Sequence, residues 1–236
     1  MNRYLLIFCF LLALCLALPE KGRHCGNTPY DPSKATCYDG YICPTVGGLA
    51  NLKCGDECYS PLTYKCENQT LCPLAPTEGP YEIRVSNPDE YFDDYVINAC
   101  HGGFFIGGPT CTYCPSQLPD LCEASKNITA LVGNEGMQVV VPGGQRFYIN
   151  PIGSLAYTQA HSAFIPGGSI VGKIEAFQDG GFVYAEGGGW YACPVSDPGT
   201  YQIVNRLEGV VLDAACIGIN IVTNSVDGGP FAWQYA

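Results

Sequence analysis

The stretch MQVVVPGGQRFYINPIGSLAYTQ, residues 137–159, decides the fold class. Its β-rich runs are separated by Pro142-Gly143-Gly144 and by Asn150-Pro151-Ile152-Gly153, both of which end regular structure and turn the chain. Downstream, VGKIEAF and FVYAE flank Asp179-Gly180-Gly181 in the manner of a hairpin. TYQIV, GVVLDA and IGINIVTN, between Thr200 and Asn224, are further β-branched runs with glycine and aspartate punctuation. No segment sustains a helical period over more than two turns. The expected fold is mainly β, with an all-β, sandwich-like domain over residues 81–236.

Toward the N-terminus the chemistry changes. CGNTPYDPSKATCYDGYICP (Cys25–Pro44) is followed at an offset of 29 residues by CGDECYSPLTYKCENQTLCP (Cys54–Pro73). The offset aligns Cys25 with Cys54, Cys37 with Cys66 and Cys43 with Cys72, and also Gly26 with Gly55, Tyr30 with Tyr59 and Pro32 with Pro61. So many coincidences in register mark a duplication. A block this small cannot bury an adequate core, so the expectation is a disulfide-rich tandem-repeat module over residues 25–73. The proline-rich PLAPTEGP that follows reads as an extended and poorly packed linker, residues 74–80.

The chain opens with Arg3 and the apolar run YLLIFCFLLALCLAL, which ends at Leu18. A positive end, a short apolar centre and a small-residue CLA read as a secretory signal peptide over residues 1–17. The run falls short of the roughly 20 residues that span a bilayer, so no membrane association is expected. Removing this leader takes Arg3, Cys9 and Cys15 and leaves thirteen of fifteen cysteines and a net charge of −12. An acidic chain without a basic patch excludes nucleic acid as a partner. In a secreted chain this many cysteines argue for disulfides, so Cys54-x3-Cys58 and Cys111-x2-Cys114 are not read as metal ligands, and no metal or cofactor is expected.

Seven cysteines fall in the repeats: Cys25, Cys37, Cys43, Cys54, Cys58, Cys66 and Cys72. Cys58 has no counterpart in the first copy, where Pro29 stands, and is expected to be the odd one, available to a disulfide-linked dimer. Six more lie downstream. Cys193 and Cys216 form one expected bridge, and Cys100, Cys111, Cys114 and Cys122 form two more in any of three connectivities. Asn68-Gln69-Thr70 and Asn127-Ile128-Thr129 are N-glycosylation acceptors.

The repeats set tyrosines beside short polar side chains, a combination suited to sugar rings, whose C–H faces pack on aromatic planes while hydroxyls pair with amides and carboxylates. Tyr30, Asp31, Tyr38, Tyr59 and Tyr64 are the candidate carbohydrate-binding residues. The alternative is that the rings pack over the disulfides as a substitute core. The tandem C-G-x-x-C-Y-x-P-x-x-Y-x-C phrase followed by Cys-Pro resembles the small carbohydrate-binding module of fungal endo-1,3(4)-β-glucanases. The second copy fits it in full, and the first departs at Pro29 and Ala35. That resemblance implies a polysaccharide partner, β-glucan foremost.

GGFFIGG, TYCP, VPGGQRFYI, TQAHSAFIPGGSIVG, WYACP and the closing FAWQYA resemble a family of secreted fungal proteins, cell-wall-associated or IgE-binding and related to those named for phialide development. This implies an extracellular or cell-wall location and no particular reaction. Within it, His161, beside Gln159 and Ser162, is read as either a ligand-facing rim or a loop-pinning residue; Trp190 and Trp233 are read as core.

Catalysis finds little support. NPDEYFDDY (Asn87–Tyr95) reads as a solvated acidic face, and Glu175 and Asp179 have the wrong spacing for a laminarinase-type carboxylate pair. No nucleophile elbow, zinc helix or phosphate loop occurs. The expectation is a secreted, non-catalytic β-glucan binder. A structural wall protein and a β-glucanase-related hydrolase are the alternatives.

Overall fold

A computed structural model describes residues 23–46, 48–117, 120, 128–229 and 231–236. The expected leader, Cys122 and Asn127 lie outside the described residues.

The repeat is visible as repeated structure. Strands β1 (Arg23–Cys25), β2 (Thr28–Tyr30), β3 (Ala35–Tyr38) and β4 (Tyr41–Val46) form two hairpins, and a short β5 (Leu49–Ala50) extends the second. Twenty-nine residues on, β6 (Leu52–Cys54), β7 (Glu57–Tyr59), β8 (Tyr64–Glu67) and β9 (Thr70–Pro73) form the same two hairpins again. The turn residues dictate this. Asp39 and Gly40 both have positive φ, as do Asn68 and Gln69, the two-residue turn that matches strand twist. Asp31 starts the intervening turn by accepting the Ser33 N–H at 2.9 Å, and Ser60 does the same for the Leu62 N–H at 3.3 Å. Only Cys25, Cys43 and Cys54 are fully buried among the module's described side chains, so disulfides take the place of a hydrophobic core.

Those disulfides correct two expectations. Cys25–Cys37 and Cys54–Cys66 close each repeat from within. Cys58 is not the odd cysteine: it pairs with Cys43 of the first copy. Cys72, expected in a disulfide, is the free thiol among the described residues and is partly exposed.

The remainder is all-β. Its strands are β10 (Tyr81–Ser86), β11 (Ile97–Cys100), β12 (Gly103–Ile106), β13 (Thr112–Tyr113), β14 (Leu131–Val132), β15 (Gly136–Met137), β16 (Gln145–Ile149), β17 (Leu155–Tyr157), β18 (Glu175–Ala176), β19 (Phe182–Val183), β20 (Trp190–Pro194), β21 (Tyr201–Asn205), β22 (Ile217–Ser225) and β23 (Gln234–Tyr235). Ten form one antiparallel sheet in the order β11-β12-β17-β16-β15-β14-β10-β22-β20-β21. Its ends meet, because β12 pairs with both β17 and β21, and the seam is stitched by the Ser154–Val204 bridge. Gly153 is required there: at φ +89° it lies so close to the Asn205 carbonyl that a Cβ would come within 2.3 Å of it. The sheet therefore curls around its apolar face, and Tyr81, Ile83, Val85, Phe104, Phe147 and Ile203 point into one core.

Disulfides brace the outside. Cys193 pairs with Cys216 and Cys100 with Cys111; Cys114 is also disulfide-bonded. GVVLDA departs from its expected strand: residues 209–214 form none, and Val211 is 95 % exposed. Branched side chains favour a strand only where a neighbouring edge offers hydrogen bonds and a face to pack on.

The proline-rich segment is extended but not poorly packed. The Thr77 N–H donates to the Ala176 carbonyl at 2.9 Å, and the Gln178 N–H to that of Ala75 at 2.9 Å. The Gly181 N–H reaches the Leu62 carbonyl of the module at 2.7 Å, and the Asn220 amide donates to the Val46 carbonyl at 3.2 Å. The β18–β19 hairpin is thus held between the module and β22, whose Thr223 N–H donates to the Gly180 carbonyl.

Candidate functional site

Each candidate residue occupies a defined place in the hairpins. Tyr30 ends β2 and Tyr59 ends β7, in repeat-equivalent, half-buried positions. Asp31 is committed to its turn: the Ser33 hydroxyl and N–H, and then the Lys34 ammonium, hold its carboxyl below the usual carboxylate range. Tyr38 lies opposite Tyr41 across a two-residue turn, so the two rings share a face. The Tyr38 hydroxyl donates to the Asn51 carbonyl at 3.2 Å and the Tyr41 hydroxyl to that of Asp56 at 2.5 Å. The second bond runs from the first copy into the second, and the first reaches the residue just before it.

This pair accounts for the unequal copies. The positions equivalent to Tyr38, Tyr41 and Cys43 in the second copy are Glu67, Thr70 and Cys72. The first set grips a following repeat, whereas the second has none to grip. Glu67 instead pairs with Lys65 at 2.7 Å, and this bond holds its carboxyl low.

Among the candidates Tyr64, at 42 % exposed, presents the most open ring. Tyr41 is 37 % exposed, with Lys53 Nζ 5.3 Å from its ring centroid, and sequence reasoning left it out. Strand alternation does not reveal it: Tyr41 and Cys43 stand two apart on β4 and share a face, yet one is exposed and the other buried. Asn68 sits exposed at the tip of the β8–β9 hairpin, where a glycan would project away from the strands.

Elsewhere, two carboxylates share a cavity. Glu175 lies in a cavity of about 620 Å³ lined also by Thr77, Asn134, Lys173 and Glu186. Glu186 accepts from the Tyr184 hydroxyl at 3.1 Å and lies 3.4 Å from Lys173 Nζ, and these contacts hold its carboxyl below the ordinary range. An acid catalyst for glycosidic cleavage needs the opposite shift. His161 is exposed, with positive φ, in a turn closed by the Ser162 N–H to the Gln159 carbonyl. Trp190 is buried, its indole N–H donating to the Phe182 carbonyl at 2.7 Å, while Trp233 is only half-buried. His101 lies beside Cys100 and Cys111, but the bond between those cysteines removes both as thiolate ligands.

Comparison with known proteins divides the chain in the same way. Residues 24–71 match a carbohydrate-binding family, and residues 81–236 match the PhiA-like secreted proteins. An uncharacterized secreted protein of Arthroderma benhamiae is 37 % identical over 180 residues, which cover 69 % of this chain and 90 % of that protein. A stretch of 49 residues, 21 % of this chain, is 37 % identical to part of the primary septum glucan endo-1,3-beta-D-glucosidase of Schizosaccharomyces pombe, of which it covers 5 %. No solved structure matches.

Proposed function

The chain belongs to the PhiA-like secreted proteins, and we propose that it is a non-catalytic binder of cell-wall β-glucan whose N-terminal module makes the polysaccharide contact. The observation that carries this reading is the module's construction. A frame held by disulfides in place of a core leaves the Tyr41 and Tyr64 rings exposed and Tyr59 half-buried, at a fixed spacing. Pre-organised aromatic faces lose little entropy when a polymer is bound. The two copies act as linked weak sites, which gain from effective concentration. The glucan endo-1,3-glucosidase among the relatives supports β-1,3-glucan as the polymer.

The test is a pull-down of the secreted protein on insoluble β-1,3-glucan, chitin and cellulose. Retention on β-1,3-glucan is expected, reduced roughly tenfold in a Tyr59→Ala, Tyr64→Ala double variant. Equal retention of wild type and variant would remove Tyr59 and Tyr64 as the sugar-facing rings.

A structural role in the wall is the second reading, favoured by the free and partly exposed Cys72. Its signature is a disulfide-linked dimer on a non-reducing gel that disappears in Cys72→Ser.

A further inference from the structure

Where the module sits on the β domain, the two enclose a cleft of about 560 Å³. Asn51, Ser60 and Thr63 line it from the module, and Tyr191, Asn205 and Arg206 line it from the domain. The volume is that of a small-molecule site, apolar in its walls with a few convergent polar groups. Its lining contains no carboxylate, although the chain as a whole carries a net charge of −11.

Asn205 is the anomaly. It is completely buried, and neither its side-chain oxygen nor its nitrogen has a hydrogen-bond partner. Buried amides are nearly always satisfied, because an unmade bond costs the full desolvation of the group. The wall beside it is the run Gly187-Gly188-Gly189, and a Cβ at Gly187 would fall 2.1 Å from the Asn205 oxygen. The glycine run lies along Arg206 through two backbone bonds, from the Gly188 N–H to the Arg206 carbonyl at 2.7 Å and from the Arg206 N–H to that of Gly189 at 3.0 Å. Any side chain at Gly187 would displace the orphaned amide. The Arg206 side chain runs beside Gly188 and lays its guanidinium 5.6 Å from the centroid of the Tyr191 ring. A flat aromatic wall with a fork of N–H donors, beside amides and hydroxyls and away from acids, suits a neutral polyol with apolar ring faces.

We propose that this cleft is a second saccharide site, which takes a short run of neutral hexose units against Tyr191 and Arg206, with the Asn205 amide as its buried polar anchor. The proposal rests on the polysaccharide-binding reading above and adds contacts that neither the module nor the β domain supplies alone.

The test uses the full-length secreted protein, with laminarihexaose titrated by calorimetry and the insoluble β-1,3-glucan pull-down run in parallel. Tyr191→Ala and Arg206→Gln are each expected to weaken laminarihexaose binding roughly tenfold. Asn205→Leu is expected to weaken it similarly while the unfolding midpoint holds or rises, since it removes an unsatisfied amide from the folded state. A purely structural asparagine would show the reverse, a lower midpoint with binding intact. If Asn205→Leu does not fold, the partly exposed Tyr191 and the exposed Arg206 still decide the matter. Wild-type retention on the polymer together with unchanged laminarihexaose affinity in both variants overturns the cleft and leaves the module reading standing. A wild type that binds neither probe overturns both.

Discussion

Cys43 of the first repeat is disulfide-bonded to Cys58 of the second, with their Cα atoms 5.5 Å apart. The bond makes the repeat a directional unit: each copy offers one cysteine forward and receives one from behind. The first copy needs no receiving cysteine and has Pro29 there, and the second has nothing ahead, which leaves Cys72 unpaired.

Alkylation of the unreduced secreted protein, followed by peptide mapping, is therefore expected to label Cys72 and to leave Cys58 unlabelled. Cys58→Ser should free the buried Cys43 thiol, which is labelled once the unreduced protein is unfolded, and cost the module about 3 kcal/mol, the value for a closed loop of this length. Cys72→Ser should leave the unfolding midpoint unchanged.

Gly181 is where the module and the β domain press together. A Cβ there would come within 2.7 Å of the Leu62 side chain and 2.8 Å of that of Val183. Gly181→Val is expected to cost about 1–3 kcal/mol by overpacking. It should also release the segment around Ala75, seen as faster proteolytic cleavage between module and domain.

The C-terminal strand β23 pairs with β13, and one side chain adds a clamp on its backbone. Gln145 donates to the carbonyls of Thr158 at 2.8 Å and Tyr235 at 3.0 Å, and accepts the Tyr235 N–H at 2.7 Å. Gln145→Leu leaves those backbone groups buried and unpaired, so a loss of about 2–4 kcal/mol is expected in denaturant unfolding.

Alkaline stability should report the core tyrosines. Burial pushes the Tyr235 phenol up to about 12, and burial raises Tyr81 further still. Their folded values exceed the ordinary 10.0, so the stability they contribute is complete below that pH and is lost as pH rises through the folded values. The unfolding midpoint should fall between about pH 10 and 12, with phenolate absorbance from these rings rising together with unfolding. A phenolate signal from them in a still-folded protein would contradict this.

The turns of the β domain were legible because they are written in local chemistry: Asn150-Pro151-Ile152-Gly153 fixes a backbone path whatever lies around it. The 29-residue offset recurs in strand bounds and intra-repeat bridges, but the module's hairpins, turned at Asp39-Gly40 and Asn68-Gln69, were not foreseen, since little regular structure was expected of so small a block. What depends on a distant partner was not legible. Cys58 looked supernumerary because its partner belongs to the other copy, and GVVLDA looked like a strand because nothing local reveals that it has no neighbouring edge. The linker looked loose because proline composition does not disclose that Ala75 and Thr77 bond to the β18–β19 hairpin. Asn205 carries no sequence signal at all. What marks it is that both polar atoms of its amide lack a partner in three dimensions, among residues that read as an ordinary strand end.

The hairpin that meets the module has a mechanical consequence. Leu62 and Ala75 bond to it from one side and Thr223 from the other, while its Phe182 ring stacks against Trp190 at 5.6 Å inside the core. A pull on a module anchored to a rigid wall would not first draw out a slack tether. The tension would pass through these bonds into the closed sheet, so the anchored protein would resist shear as one body.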